Sequence, residues 1–234
     1  MTTLTAAGVL ELWEQAAGLA PGGRALVLAA GCSGIARAVA AELSVGNRDR
    51  LLVAAYCGLF GLRVIGRADC PACAEMLELE LDLAEFEDEA MEANEPIAIG
   101  RFEVRWRLPT AAAVADPAVR SPQDLLRRCI AHVTRDGEPI DSEEWPTELA
   151  VAVSAAILAA DPLTDVRFAL NCVRCEHAWE VGFDPAAFLW AEFDVLARRL
   201  LSEVHRLAAA YGWSEAEILK LSAARRAAYL GMCG

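Results

Sequence analysis

The sequence predicts an α+β protein in three parts: a helical N-terminal region over 1–66, a zinc-ribbon-like β region with a long insert over 67–183, and a helical C-terminal arm over 184–234. Three observations carry this reading. Apolar residues recur at helical spacing near both ends of the chain. They switch to alternation with charged residues after Cys70, the period of a strand with one wet face. Two CxxC pairs, each beside an alternating run, punctuate the middle. The 234 residues allow one large domain or two small ones, and 56% hydrophobic with 24% charged residues describes a folded, globular chain.

In chain order, residues 10–19 (LELWEQAAGL) form an amphipathic helix broken by PGG at 21–23. Leu26, Ile35, Val39 and Leu43 continue at helix-compatible spacing, and Gly46-Asn47 marks a further break. Residues 51–62 then read as a buried helix ending near Gly61. Leu77, Leu79, Leu81 and Leu83 alternate with acids, and residues 101–108 (RFEVRWRL) alternate too. The stretch 74–96 holds ten acids and no base; it reads as a solvated loop and strand face, with a docking surface for a basic partner as the alternative. Ser121-Pro122 opens a capped helix, Asp136-Gly137 makes a hairpin turn, and residues 146–160 form an alanine-rich helix closed by Asp161-Pro162. Residues 166–170 read as a strand entering the second CxxC, and His177, Trp179, Val181 and Phe183 alternate on the way out. Asp184-Pro185 then starts a long helix with a stripe of Leu189, Phe193, Leu196, Leu200, Val204, Leu207 and Tyr211. Gly212 ends it, Ser214 and Glu217 form a capping box, and Ser222 caps a last helix.

Composition excludes several functions. A net charge of −13 with Lys220 as the sole lysine disfavours a nucleic-acid surface and an anionic membrane surface alike. The longest uncharged runs, 25–36, 51–62 and 149–160, are each 12 residues, well short of the roughly 20 that a membrane helix needs. No basic residue precedes Arg24, so no secretory signal is expected and a cytoplasmic location is.

Eight cysteines in such a chain point to metal before disulfides. Cys70 and Cys73 (CPAC) and Cys172 and Cys175 (CVRC) are the strong signal: each pair fits one tight turn, and two turns supply four soft ligands for a structural zinc. Residues 74–171 lie between the pairs. Closing so long a loop instead of one of about 15 residues costs only about 1.7 kcal/mol more, against on the order of 10 kcal/mol from structural zinc. A redox CxxC or unconnected thiols are the alternatives. His177 is a spare ligand beside a shell that four cysteines already complete. Cys32, Cys57 and Cys129 read as buried small hydrophobes.

Two apparent motifs fail. Residues 25–43 look like a dinucleotide-binding loop, but Gly31 and Gly34 bracket two residues instead of three, Ala36 replaces the third glycine, and no Tyr-xxx-Lys exists. The short C-terminal helices could pass for a helix-turn-helix, but Arg225 and Arg226 are their only basic cluster. HExxH, GxSxG and GxxxxGK[ST] are all absent, and three histidines leave general-base chemistry little to work with, so no enzymatic activity is expected.

Several stretches together resemble a known family: GNRDRLLVAAYCGLFG at 46–61, DCPACAEMLELELDL at 69–83, RWRLPTAA at 105–112, and the block at 171–230. These resemble proteins encoded with phage-tail-like contractile injection systems, related to the baseplate hub assembly chaperone of T-even phages. The most specific parts are Arg107, Leu108 and Pro109, the two CxxC knuckles, and a tail matching at Tyr211, Gly212, Trp213, Glu215, Ile218, Leu219, Leu221, Ser222, Arg225, Arg226, Tyr229 and Leu230. Knuckles of that family usually carry Gly after the second cysteine, where this chain has Ala74 and Glu176, and the second lacks Pro, having Val173. That departure implies slightly strained knuckles with the ligands intact. The resemblance implies a non-enzymatic protein acting in baseplate assembly, as chaperone or component, with baseplate or hub proteins as partners. The tail's large residues, Tyr211, Trp213, Ile218, Leu219, Tyr229 and Leu230, with Arg225 and Arg226, are its candidate docking surface; packing against the body is the alternative. Two other classes stay open: a zinc-ribbon adaptor in transcription or nucleic-acid transactions, and a zinc or redox enzyme.

Overall fold

The computed structural model describes residues 4–86, 95–142 and 145–233. The chain is α+β, with helical N- and C-terminal parts and, among the described residues, three small antiparallel sheets. Four helices open it: α1 (Ala6–Ala17), α2 (Pro21–Ser33), α3 (Arg37–Glu42) and α4 (Val45–Phe60). Pro21 of the PGG break is itself the first residue of α2, a position where its missing N–H is no loss. The second break falls earlier than Gly46-Asn47. Ser44 caps α4 by accepting from the Asn47 amide, which places Gly46 inside the first turn.

The first hairpin pairs β1 (Arg63–Asp69) with β2 (Met76–Asp82), from Arg63↔Asp82 to Asp69↔Met76. Strand β1 begins before Cys70, where the sequence placed the change of period, and it crosses the 66/67 border. Gly66, on its inward face, interrupts the apolar alternation that would have revealed it. On β2, Glu78, Glu80 and Asp82 face outward as expected, and Glu80 and Glu78 pair with Arg63 and Arg67 across the hairpin. Residues 87–94 of the acidic stretch lie outside the described residues.

The insert carries its own sheet, β3 (Ile97–Ile99), β4 (Phe102–Trp106), β5 (Ile130–Arg135) and β6 (Glu138–Pro139), in that order. Helices α5 (Ala111–Ala115), α6 (Pro122–Cys129) and α7 (Thr147–Ala160) accompany it. Asp136 and Gly137, at φ of 55° and 87°, turn β5 into β6, the primed turn expected from Asp-Gly. Val104, Val133, Cys129, Leu149, Val153 and Ile157 form this region's separate core.

A second hairpin, β7 (Val166–Asn171) with β8 (Ala178–Phe183), leads into α8 (Pro185–Tyr211), capped by Asp184 at one end and by Gly212 in the left-handed conformation at the other. The first half of α8 is buried: Leu189, Phe193, Ala197 and Leu200 join α1, α2, α4, Val64 and Leu83 in the main core. Ala197 takes the core place expected of Leu196, which is half-buried. The second half, with α9 (Glu215–Leu219) and α10 (Ala223–Met232), builds a small core around Val204, Leu207 and Ile218. Among the described residues no helix is long and apolar enough to cross a membrane.

One buried polar junction ties the insert to the helical body. Asp161, fully buried at the end of α7, accepts from the Ser44 hydroxyl (2.8 Å) and the Gly46 amide (3.0 Å) and pairs with Arg50 (3.1 Å). A Cβ on Gly46 would collide with that carboxylate, so glycine is required there. The Val45 amide also donates to the Pro109 carbonyl, and Ser44 bridges Thr110, so the RLP segment docks at the same point. Replacing Asp161 by Ala leaves the Ser44 hydroxyl and the Gly46 amide buried without their acceptor. Asp161→Ala is therefore expected to lower the unfolding free energy by about 3 kcal/mol or more in urea titrations, whereas Asp165→Ala, at an exposed pair with Arg167, should change it by less than about 1 kcal/mol.

Candidate metal centre

The two CxxC turns lie at the far ends of the two hairpins, after β1 and after β7, so each hairpin presents two thiols at its tip. Both turns close in the same way. The Ala74 amide donates to the Cys70 carbonyl (2.8 Å) and the Cys70 amide to the Glu75 carbonyl (2.8 Å). In the second knuckle the Glu176 amide donates to the Cys172 carbonyl (2.9 Å) and the Cys172 amide to the His177 carbonyl (2.9 Å). The Arg174 amide also points at the Cys172 sulfur, at 3.4 Å. This closure requires the residue after the second cysteine to turn left-handed: Ala74 has φ 56° and Glu176 φ 59°. The strain inferred from the missing glycines is present at both positions.

The knuckles meet face to face. The Sγ atoms of Cys70 and Cys175 are 3.7 Å apart and those of Cys73 and Cys172 3.6 Å, and all four lie within 4.8 Å of one another. These separations would allow all four to reach a common ion and are well beyond the roughly 2.05 Å of a disulfide. Cys70 and Cys172 are buried at 2% exposure, Cys73 is half-buried and Cys175 faces solvent. Arg174 and Glu75 join the knuckles on the outside with an exposed ion pair at 3.4 Å. Cys172 and Cys73 are shifted in opposite directions. Burial opposes ionisation of Cys172, but the amides of Arg174 and Cys175 and the thiols of Cys73 and Cys175 outweigh it and bring its thiol down to about 7. At Cys73 the Glu75 amide favours the thiolate, yet burial and the neighbouring thiols push it up to about 12. Four soft thiols gathered in this way can exchange their protons for a metal ion.

His177 stands outside the cluster: its ring is exposed and stacks on Trp179 at 6.2 Å. Cys32 and Cys129 are buried, and burial pushes each thiol up to about 11, as suits a packing residue. In the C-terminal arm the candidate docking residues divide. Ile218 is fully buried and Arg226 nearly so, the latter held by Glu203 (2.8 Å) and the Leu221 carbonyl (2.7 Å). Trp213, Leu219, Tyr229 and Leu230 pack on the small core, where Trp213 stacks on Tyr211 at 4.7 Å and meets Tyr229 edge-on at 4.9 Å. Tyr211 and Arg225 keep exposed faces. The Asp161 junction escaped the sequence reading, since a single Asp before Pro looks like an ordinary helix stop.

The fold and site define a small α+β protein in which two strained knuckles gather four thiols able to hold a metal ion. The chain belongs to the T4 bacteriophage base plate protein family, whose model matches residues 27–190, from within α2 to the first turns of α8 and including all four cysteines and the Asp161 junction. No curated protein and no solved structure matches it.

Glycine at either left-handed position relieves strain, partly offset by the greater freedom of glycine in the unfolded chain. Ala74→Gly and Glu176→Gly should each raise the unfolding free energy by about 0.5–1 kcal/mol, read by chemical denaturation. A loss of stability in both variants would contradict the strained geometry.

Proposed function

We propose that the four cysteines hold one structural zinc, and that the zinc-stapled chain acts, without catalysis, in the cytoplasmic assembly of the baseplate of a phage-tail-like contractile injection system, as chaperone or component. A baseplate-related role follows from family membership. The finer relation, to the baseplate hub assembly chaperone of T-even phages, rests on the resemblance of the knuckles, the RLP segment and the tail. The observation that carries the metal reading is the spacing of the sulfurs. Zinc–sulfur bonds of about 2.3 Å in a tetrahedron put ligand atoms about 3.8 Å apart, and the cross-knuckle pairs Cys73–Cys172 and Cys70–Cys175 lie at 3.6 and 3.7 Å. Bound there, zinc would crosslink the hairpins, and the reducing cytoplasm suits thiolate ligands. Four protein ligands close the shell and leave no open position for a substrate, which supports a structural role.

Partner contact falls to the exposed parts of the arm, Tyr211 and Arg225, with the half-buried Trp213, Leu219, Tyr229 and Leu230 shaping the helical hairpin that presents them. Buried Ile218 and Arg226 would act by holding that hairpin together.

Metal analysis of protein purified without added chelator should give about one zinc per chain. Cys70→Ser or Cys172→Ser should abolish it and lower Tm by roughly 10 °C or more. A folded native protein with no bound metal would overturn the zinc reading. The arm is tested by Tyr211→Ala with Arg225→Glu, because deleting residues 213–234 would strip Ile218 from the small core. The double variant should keep its zinc and its circular dichroism while co-purification with baseplate proteins of its own particle falls at least about tenfold, by the loss of an aromatic and a charged anchor. Undiminished co-purification would remove the arm from the partner surface.

A further inference from the structure

The sheets differ in how they treat the arginines on their wet faces. On the first hairpin Arg63 and Arg67 meet Glu80 and Glu78 at 2.7 and 3.1 Å. On the second, Arg167 meets Asp165 and Glu180 at 3.0 and 3.9 Å. Every arginine on these four strands is thus answered by a neighbouring acid, the pairing of opposite charges that favours a strand pair.

The insert's sheet breaks this pattern. One face packs on α6 and α7, and the other is open, with Ala98, Glu103, Arg105 and His132 all exposed. Arg105 of β4 stands in register with His132 of β5, so a base faces a base where the other sheets place an acid. Among the described residues neither side chain takes part in a hydrogen bond or an ion pair. Arg107, next along the same face, donates its Nε–H to the Arg128 carbonyl at 3.0 Å and has no acid on its Nη atoms. Asp116, in the cavity that Arg107 lines, is taken up by Arg128 at 2.7 Å. Glu103, two places before Arg105, makes no ion pair with a described base. The forked donors of two neighbouring guanidinium groups are therefore left facing outward, in the geometry that carboxylates match.

We propose that this open sheet face binds an extended segment of a partner protein with acidic residues at alternate positions, one carboxylate meeting Arg105 and His132 and the next meeting Arg107. In an extended chain, side chains two residues apart point the same way and lie about 6.6 Å apart, the interval that also separates Arg105 from Arg107 along β4. Contiguous acids would point alternately toward the face and away from it. A nucleic acid suits the face less. A long polyanion runs on over a chain of net charge −13, whereas a short acidic segment feels mainly the charges within the roughly 8 Å screening length of physiological salt. The partner's identity as a baseplate protein rests on the function proposed above; the chemistry of the face does not.

The test is fluorescence anisotropy on the full-length chain at about 0.15 M salt, with three labelled probes: a capped peptide of alternating Thr and Glu, a peptide of the same composition with its Glu residues contiguous, and an oligothymidylate of equal charge. The alternating peptide should saturate with a Kd on the order of 0.1 mM, and more tightly than either of the others. Arg105→Glu should weaken it at least about tenfold and Arg105→Gln at least about threefold, by loss of a charge-assisted pair. Both should keep the parent circular dichroism, because the exposed Arg105 side chain holds no other part of the fold. Arg167→Glu, which changes the net charge as much but lies on another sheet, should alter the Kd by less than about twofold. Absence of saturable binding, equal or tighter binding of the contiguous peptide or the oligothymidylate, or an equal loss in Arg167→Glu would each overturn the proposal. Failure of the peptide to bind leaves zinc content and baseplate co-purification untouched, so the two readings fail separately.

Discussion

Four sulfur atoms gathered within 4.8 Å join two hairpins that belong to separate sheets, and most of the architecture depends on that contact. Each hairpin is only two strands, too small to be stable alone in water. The first is held on the helical body through Val64 and Leu83, and the second through Phe183, which packs against Phe86 and Phe188. Between the knuckles runs residue span 74–171, a loop in the topological sense, with its own sheet and its own core. The cysteine cluster is where its two ends meet. Asp161 fixes its stem a second time, by capping α4 with a carboxylate delivered from the end of α7. Two point-like junctions, one of thiols and one of a buried carboxylate, thus do what a continuous core does in a more compact domain.

Sequence alone made the strongest parts of this plain, for physical reasons. CxxC spacing, Asp184-Pro185, Ser214 with Glu217, and Asp136-Gly137 are local devices, in which residue chemistry dictates the backbone within a few positions. The structure carries each of them at its expected place. The 4-3 stripe of α8 was equally legible because one face of a 27-residue helix must be apolar to be buried. What escaped was set by partners distant in sequence. Gly66 hid β1 because its inward place is filled by nothing that a periodicity can register. Gly46 looks like a helix breaker, yet it sits within α4 because Asp161, 115 positions away, occupies the space of its Cβ. Ile218 and Arg226 look like anchors for a partner, but Leu207 and Glu203 bury them in a small internal core.

The knuckles show a compromise between ligand geometry and backbone preference. The left-handed turn after each second cysteine is demanded by the amides that close on Cys70 and Cys172, and Ala74 and Glu176 adopt it despite their side chains. Such strain persists only where the surroundings over-determine the conformation. Here a shared ion would be the over-determining element, since it fixes both knuckles at once. Glu75 and Arg174, in the same two turns, add only an exposed ion pair of small effect.

We propose that one tetrahedral four-thiolate zinc ties the baseplate-family fold together. X-ray absorption at the zinc edge of the purified protein tests it most directly. The prediction is a single shell of four sulfur atoms at about 2.3 Å with no nitrogen or oxygen in the first coordination sphere. A shell containing nitrogen or oxygen ligands, or an absorption edge too weak for one zinc per chain, would contradict it.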